Sequence, residues 1–191
     1  MLYMLTNYQL EELCEKMDIP LEAIVFKDRL KDLGKVKYNK SYIVNLHDEF
    51  QEDGDRNEGS HWVCFQVNKY GSGKTAGIYF DSYATGPPTD IADFVGEELP
   101  YNQKDIQSLM NNACGWYCCA FLHYINAYPE RTGHLYADTE NFLSIFLDLD
   151  KSCDFKYNEF ALKHFFRSAD EDLRKPIEVD GVVLNADTIV S

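Results

Sequence analysis

The chain lacks a long apolar run, and positive charge is scarce in it. Only 18 Lys and Arg residues stand against 32 Asp and Glu residues, which gives a formal net charge of −14 at pH 7. This balance argues against broad binding to nucleic acids or anionic membranes, because both partners would repel the chain. We expect no transmembrane helix, and the opening Met-Leu-Tyr-Met-Leu is too short and uncharged for a secretion signal.

Internal repeats, low-complexity linkers and a regular cysteine framework are also missing. The six cysteines are irregularly spaced in a chain of 191 residues, so reduced thiols in an intracellular setting are favoured over a disulfide scaffold. Apolar residues make up 45% of the chain, which is enough for a folded core. We therefore expect one α+β domain over residues 1–191, with a small central mixed sheet flanked by helices.

The spacing of apolar residues predicts where the elements lie. Helices are predicted over residues 7–17, within 21–33, and over 89–95, 112–128 and 157–167. The first follows a capping box at Thr6 and Gln9, and a further helix is predicted to begin after a cap at Asp138 or Thr139. Strands are predicted over 41–47, 61–68 and 76–81, the last two joined as a hairpin, and an Asp-Gly hairpin is predicted over 177–183.

The stretch that organises the chain is residues 107–125, whose second half has the pattern of a helix buried on several sides. Asn111 and Asn112 precede this helix and can accept hydrogen bonds from its first turn. Cys114 then falls at the positive end of the helix, where unpaired N–H groups make a thiol lose its proton more easily. Gly115 follows without a side chain, so a substrate backbone could come close there.

A histidine and an aspartate are predicted to meet at the open end of the first hairpin. His61 opens one strand directly after a polar loop, and Asp81 ends the next strand. If the strands pair, the carboxylate can hold the imidazole in one tautomer, as the acid does in a nucleophile–base–acid triad. Taken singly, each is most simply an ordinary surface residue. Gln107, in a polar loop upstream of Cys114, can donate to a developing oxyanion together with the Cys114 backbone N–H.

Metal binding is a minor alternative for the same helix. Three cysteines and a histidine share it: Cys114, Cys118, Cys119 and His123. Structural zinc sites usually take their ligands from separate elements, and buried helix cysteines are mostly core residues. We therefore expect no metal and no other cofactor. Residues 71–75 resemble the tail of a phosphate-binding loop but lack its first glycine and lead into a strand, so we interpret them as a hairpin connection.

Three short runs and one glutamine contain the candidate catalytic residues. They are His61-Trp62, Tyr79-Phe80-Asp81-Ser82-Tyr83, Gln107 and Cys114-Gly-Trp-Tyr-Cys-Cys-Ala-Phe-Leu-His123. Together they resemble the adenain-type cysteine proteases, the maturation proteases of adenoviruses, whose relatives occur in virophages and Polinton (Maverick) elements. The order His, acid, Gln, Cys is that of this family and is opposite to the order in papain. The resemblance covers roughly residues 5–130, and the chain resembles the Ulp-type ubiquitin-like-protein proteases more distantly.

This resemblance implies a papain-like, adenain-like fold with the nucleophile at the N-terminus of a buried helix, and a cysteine endopeptidase activity. The implied roles are Cys114 as nucleophile, His61 as general base and acid, Asp81 as partner of the histidine, Gln107 as oxyanion donor and Trp62 as a wall of the active site. Members of the family cut beside glycine or other small residues, and Gly115 fits the narrow substrate channel that this preference requires.

The family also implies a partner, a viral capsid or core precursor polypeptide that is cut during particle maturation, and hence a location in the virion and the host-cell interior. We expect a monomer with no membrane partner. Adenain is activated by a disulfide-linked viral peptide and by DNA. This chain has no cysteine between Cys64 and Cys114, where the pairing cysteine would lie, and it is strongly negative. Both features argue against a peptide or DNA activator. A Ulp-type isopeptidase and an inactive interaction module stay open as alternatives.

Overall fold

A four-stranded mixed sheet lies at the centre of the fold. The computed structural model describes residues 4–127, 134–149, 155–169, 177–179 and 182–184. The strands are β1 Leu21–Phe26, β2 Lys40–Asn45, β3 Trp62–Lys69 and β4 Thr75–Phe80, in the spatial order β1-β2-β3-β4. β1 and β2 run parallel, whereas β2 with β3 and β3 with β4 pair antiparallel. The architecture is therefore of the mixed α+β type that the sequence predicts.

Five α-helices accompany the sheet in the described part of the chain. They are α1 Asn7–Lys16, α2 Thr89–Val95, α3 Cys114–Ala127, α4 Leu135–Leu143 and α5 Phe155–Ala169. A second, two-stranded sheet pairs β5 Ile177–Val179 with β6 Val182–Leu184, as the Asp-Gly hairpin pattern predicts. The turn at residues 180 and 181 and the predicted end of the central helix at residues 128 and 129 lie outside the described residues. Each described helix is too short or too polar to cross a membrane.

Alternate residues of each strand pack on opposite faces of the sheet. On β3, Cys64 belongs to the core cluster that contains α3, whereas Val63 and Phe65 belong to a second cluster that includes residues of α2. On β4, Phe80 packs with the first cluster and Tyr79 with the second. This alternation is the period of two that a pleated strand imposes. Both faces of the sheet are therefore covered.

The larger core is built around α3, in which every residue from 114 to 122 is buried. Phe121 stacks on Phe80 of β4 with the ring centroids 4.4 Å apart. Its other neighbour is Phe142 of α4, which meets it edge-on at 5.5 Å. The sequence pattern predicts a helix buried on several sides, and this burial fixes the position of the helix N-terminus relative to the sheet.

The predicted helix over 21–33 is wrong in its first half. That half is the edge strand β1, and only Lys27–Leu33 is helical, as a 3-10 helix that ends at Gly34. Ile24 and Val25 are β-branched and pair in register with β2. Stiff, branched side chains favour a strand when a partner strand is present. That partner is distant in sequence, so the local spacing does not reveal it.

Helix starts are predicted correctly for α1 and wrongly for α4. At α1, Thr6 and Gln9 form the reciprocal hydrogen bonds of a capping box. α4 begins at Leu135, so Asp138 and Thr139 lie inside the helix and do not cap it. The Thr139 hydroxyl donates to the Leu135 carbonyl at 2.7 Å. A polar side chain can satisfy itself within the preceding turn in this way, which makes it an ambiguous signal for a helix start.

Replacing Phe121 by alanine should lower the free energy of unfolding by about 3–5 kcal/mol, since a fully buried ring that contacts two others leaves a cavity. Urea unfolding followed by circular dichroism measures this change. Phe160→Ala is the matched control, because Phe160 is 65% exposed on α5 and its truncation should cost no more than about 0.5 kcal/mol. Equal losses in the two variants would contradict the position of α3 in the core.

Candidate active site

Cys114 is the first residue of α3 and is 3% exposed. The Asn111 side chain accepts a hydrogen bond from the N–H of Ala113 at 3.3 Å, one residue before the helix begins. Asn111, one of the two predicted caps, therefore holds the loop residue before the helix and does not bond an N–H of the first helical turn. Asn112, the other predicted cap, is exposed. The thiol thus lies at the N-terminal end of a buried helix, where the helix dipole favours negative charge.

The structure brings His61 and Asp81 together. His61 directly precedes β3 and Asp81 directly follows β4, and antiparallel pairing places the start of one strand beside the end of the other. His61 Nε2 lies 2.6 Å from Asp81 Oδ1. The imidazole side chain is 14% exposed and the carboxylate is fully buried. Because Nε2 faces the carboxylate, Nδ1 is the ring nitrogen left for the Cys114 thiol.

Asp81 has hydrogen-bond donors on both carboxylate oxygens. Oδ1 accepts from the Tyr83 backbone N–H at 2.9 Å in addition to its contact with His61. Oδ2 accepts from the Thr85 hydroxyl. Removing a charge from water costs several kcal/mol unless the charge is paired and hydrogen-bonded, and these donors meet that requirement. The carboxylate is therefore held in one orientation toward the imidazole.

The backbone of Asp81 is held by one buried side chain, that of Asn102. Its Oδ1 accepts from the Asp81 N–H at 2.9 Å, and its Nδ2 donates to the Asp81 carbonyl at 2.6 Å and to the Lys104 carbonyl at 3.2 Å. An amide that bonds both the N–H and the carbonyl of one residue fixes its backbone as a paired strand would. Asn102 thus continues the strand pairing one residue beyond β4.

His61 is held in its charged form by its two neighbours. Burial alone lowers the pKa of His61, but hydrogen bonds to Asp81 and Cys114, with the attraction of both negative groups, more than offset it and raise the pKa to about 9. The ordinary value for histidine is 6.5. An imidazolium next to a cysteine favours loss of the thiol proton, which is how such pairs activate a cysteine nucleophile.

The other described cysteines lie in different surroundings. Burial raises the pKa of Cys64, and it raises the pKa values of Cys118 and Cys119 well above the ordinary value. The Cys118 thiol donates to the Trp62 carbonyl at 3.4 Å, and the Cys119 sulfur lies 3.9 Å from that of Cys14. Such thiols are packing residues with little thiolate character. In the described ranges no three His, Cys, Asp or Glu side chains form a group that could hold a metal ion.

Gln107 lies near Asp81 and the loop before Cys114, but its side-chain amide already makes hydrogen bonds with protein groups there. Oε1 accepts from the Ser82 hydroxyl at 2.6 Å, and Nε2 donates to the Tyr83 hydroxyl at 3.0 Å and to the Asn111 carbonyl at 3.1 Å. An amide nitrogen has two hydrogens, so both are used. The predicted role as a direct oxyanion donor therefore requires one of these two bonds to open.

Trp62 and Gly115, which are predicted to bind substrate, both pack against the N-terminal segment. The Trp62 ring is 4% exposed, and its Nε1–H donates to the Leu5 carbonyl at 3.0 Å, so it anchors the N-terminal segment from within the core. A Cβ on Gly115 would meet Leu10 at 3.1 Å and Leu5 at 3.3 Å. The missing side chain therefore lets α3 pack against that segment, and no room is left on this side for a substrate backbone.

The loop between Ile106 and Cys114 is held by α5. Asn158 is buried and its Nδ2 donates to the Ile106 carbonyl at 3.0 Å. Asn111 Nδ2 donates to Glu159 Oε1 at 3.0 Å. The resemblance seen in the sequence stops before α5, and so assigns it no role. In the structure α5 positions the loop that carries Gln107.

The sequence does not predict the roles of four residues of the site. They are Tyr83, Thr85, Asn102 and Asn158. Tyr83 stands inside one of the motif runs and follows Asp81 by two residues, so its position was visible although its role was not. Asn102 and Asn158 carry no local signal, because each acts on a backbone group that only the folded chain brings near.

The charge on His61 gives a testable pH dependence. In the folded protein its pKa is about 9, above the ordinary 6.5, so proton binding stabilises the fold fully below pH 6.5, and this contribution is lost as pH rises through about 9. NMR titration of the His61 ring should therefore show a midpoint near 9, which falls in Asp81→Asn and in Cys114→Ala. Cys118→Ala serves as the control and should leave the midpoint in place. A wild-type midpoint at or below 6.5 would contradict the geometry.

The chain was compared with known sequences and with solved structures. No protein-family model matches the sequence, and no curated protein matches it. The chain is similar to the solved structure of the Xanthomonas campestris effector protein XopD bound to ubiquitin, at a TM-score of 0.41 and 11% sequence identity. The match covers 74% of this chain and 90% of the XopD chain. A TM-score this low supports no inference about function, so the function proposed for this chain depends on its own site.

Proposed function

We propose that the chain is a cysteine endopeptidase with an adenain-like fold. Cys114 is the nucleophile, His61 the general base and acid, and Asp81 the acid that orients the histidine. The observation that carries the proposal is the 2.6 Å hydrogen bond between His61 and a fully buried Asp81. The interaction of Cys114 with the imidazole, which helps to raise the pKa of His61, agrees with it. The position of Cys114 at the first residue of a buried helix supports it.

Peptide cleavage by this site takes two steps. The Cys114 sulfur, whose proton has passed to His61, attacks the carbonyl carbon of the peptide bond and forms a tetrahedral oxyanion. The Cys114 backbone N–H stabilises this oxyanion, and the Gln107 amide assists if one of its present bonds opens. The oxyanion collapses, the C–N bond breaks, and His61 gives its proton to the leaving amine. A thioester with Cys114 is left.

The second step returns the enzyme to its starting state. Neutral His61 takes a proton from water, and the resulting hydroxide attacks the thioester carbon. When the C–S bond breaks, the product leaves as a carboxylic acid and Cys114 regains its charge beside protonated His61. Asp81 keeps its charge throughout and stabilises the imidazolium each time it forms.

The substrate that we propose is a viral capsid or core precursor, cut in the assembling particle. The family resemblance of the motif runs supports this choice. Cys114 is only 3% exposed, which favours substrates with glycine or another small residue at the cleaved bond, because a small residue can approach a buried sulfur most closely. A ubiquitin-like-protein isopeptidase is the second candidate. The more distant resemblance to the Ulp-type proteases supports it, so ubiquitin and SUMO serve as its probes.

A cleavage assay tests both candidates with the full chain. One arm offers a peptide library with glycine at varied positions and identifies new termini by mass spectrometry. The other offers ubiquitin and SUMO with a fluorogenic group on the C-terminal carboxylate. We expect cleavage within library peptides by the wild type and none by Cys114→Ala, a loss of more than about a thousandfold. Preferred cleavage of the ubiquitin or SUMO probe would instead support the isopeptidase.

Cys118→Ala is the matched control for the nucleophile. Its thiol bonds a backbone carbonyl in the core, so its loss should lower the melting temperature while the rate per folded molecule stays near that of the wild type. Turnover retained in Cys114→Ala, or a stable but inactive Cys118→Ala protein, would show that the wrong cysteine was chosen. A wild type that cuts neither probe would support the inactive interaction module.

A further inference from the structure

The hydroxyl of Tyr83 ends the hydrogen-bond network that begins at Gln107. Gln107 is 1% exposed, and its amide bonds only protein groups: Ser82, Tyr83 and Asn111. It therefore has no hydrogen to offer a substrate in this arrangement. Tyr83 is only half-buried, so the network reaches the accessible part of the site through the phenol.

The Tyr83 ring lies directly against the catalytic histidine. The ring centroids of Tyr83 and His61 are 4.6 Å apart, and the planes are tilted by 31°. Gln107 Nε2 donates both to the Tyr83 hydroxyl at 3.0 Å and to the Asn111 carbonyl at 3.1 Å, and Asn111 lies three residues before Cys114. The hydroxyl is therefore held near the catalytic histidine and near the loop that leads into Cys114.

The direction of the bonds leaves the hydroxyl hydrogen available. Tyr83 Oη accepts the hydrogen of Gln107 Nε2 at 3.0 Å, and no acceptor among the described residues takes the hydroxyl's own hydrogen. Accepting one hydrogen bond polarises an O–H group and makes it a better donor. Burial and the charges of Cys114, Asp81 and Asp105 raise the pKa of Tyr83 to about 12, against the opposing effect of the Gln107 bond. The phenol therefore keeps its proton over the pH range in which His61 is charged.

We propose that Tyr83 is a further catalytic residue, whose hydroxyl donates a hydrogen bond to the oxyanion while Gln107 polarises it from behind. The inference rests on the proposed protease function and specifies its oxyanion hole. Tyr83 transfers no proton; it stabilises charge that is present in the tetrahedral intermediate and absent from the bound substrate. Such a donor acts on kcat and has little effect on substrate binding.

Tyr83→Phe tests this role, because it keeps the ring against His61 and removes only the hydroxyl. We expect kcat for a cleaved library peptide to fall about 10²- to 10³-fold with KM little changed. Alkylation of Cys114 by iodoacetamide should proceed at the wild-type rate, because displacement of iodide forms no oxyanion. Tyr42→Phe is the matched control, since its buried ring also stacks on an aromatic ring. Tyr42 lies in the core cluster on the opposite face of the sheet from α3, so its variant should keep the wild-type kcat.

The outcomes separate this inference from the function on which it rests. A Tyr83→Phe enzyme with unchanged or raised kcat overturns the inference alone. Parallel losses of kcat and of the alkylation rate also overturn it, because they would mean that the hydroxyl only positions His61 and the sulfur. A wild type that cuts no peptide and whose Cys114 is alkylated no faster than Cys14 overturns the protease and the inference together.

Discussion

The Asp81 carboxylate is fully buried, and the rest of the site follows from this constraint. A fully buried carboxylate is tolerated only when donors surround it, because an unpaired buried charge costs several kcal/mol. The turn after β4 folds back to supply the Tyr83 N–H and the Thr85 hydroxyl. His61 completes the set. The hydrogen bond to the carboxylate therefore fixes the orientation of the histidine through Nε2, and Nδ1 is left for the thiol at the start of α3.

The position of the sulfur depends on elements far from it in sequence. α3 is buried on all sides, so the core sets where its first residue lies. The loop before it is tied to α5 through Asn158 and Glu159, and the N-terminal segment is tied to Trp62. The three chemical groups of the site are thus placed by the sheet, the central helix and the C-terminal helix together. Changes in any of these elements can act on the site without touching it.

The sequence predicts those features that depend on local pattern. Three features follow from apolar spacing and from the geometry of antiparallel strands: a buried helix with Cys114 near its start, the β3–β4 hairpin, and the meeting of His61 with Asp81. The helix begins at Cys114, two residues later than the predicted start at residue 112. The strand β1 does not, because its stability comes from a partner strand that is distant in sequence. The roles of Asn102 and the hydrogen-bond partners of Gln107 are equally hidden, since a polar residue in a loop gives no sign of which backbone group it will meet.

The central claim is that buried Asp81 controls the reactivity of Cys114 through His61. The rate of Cys114 alkylation by iodoacetamide, followed by peptide mapping across pH, tests it directly when the wild type is compared with Asp81→Asn. Asp93→Asn, which removes an exposed charge on α2, is the control. The account predicts that Cys114 in the wild type and in the control reacts faster at neutral pH than in Asp81→Asn. Equal rates in all three proteins, each shown to be folded, would contradict it.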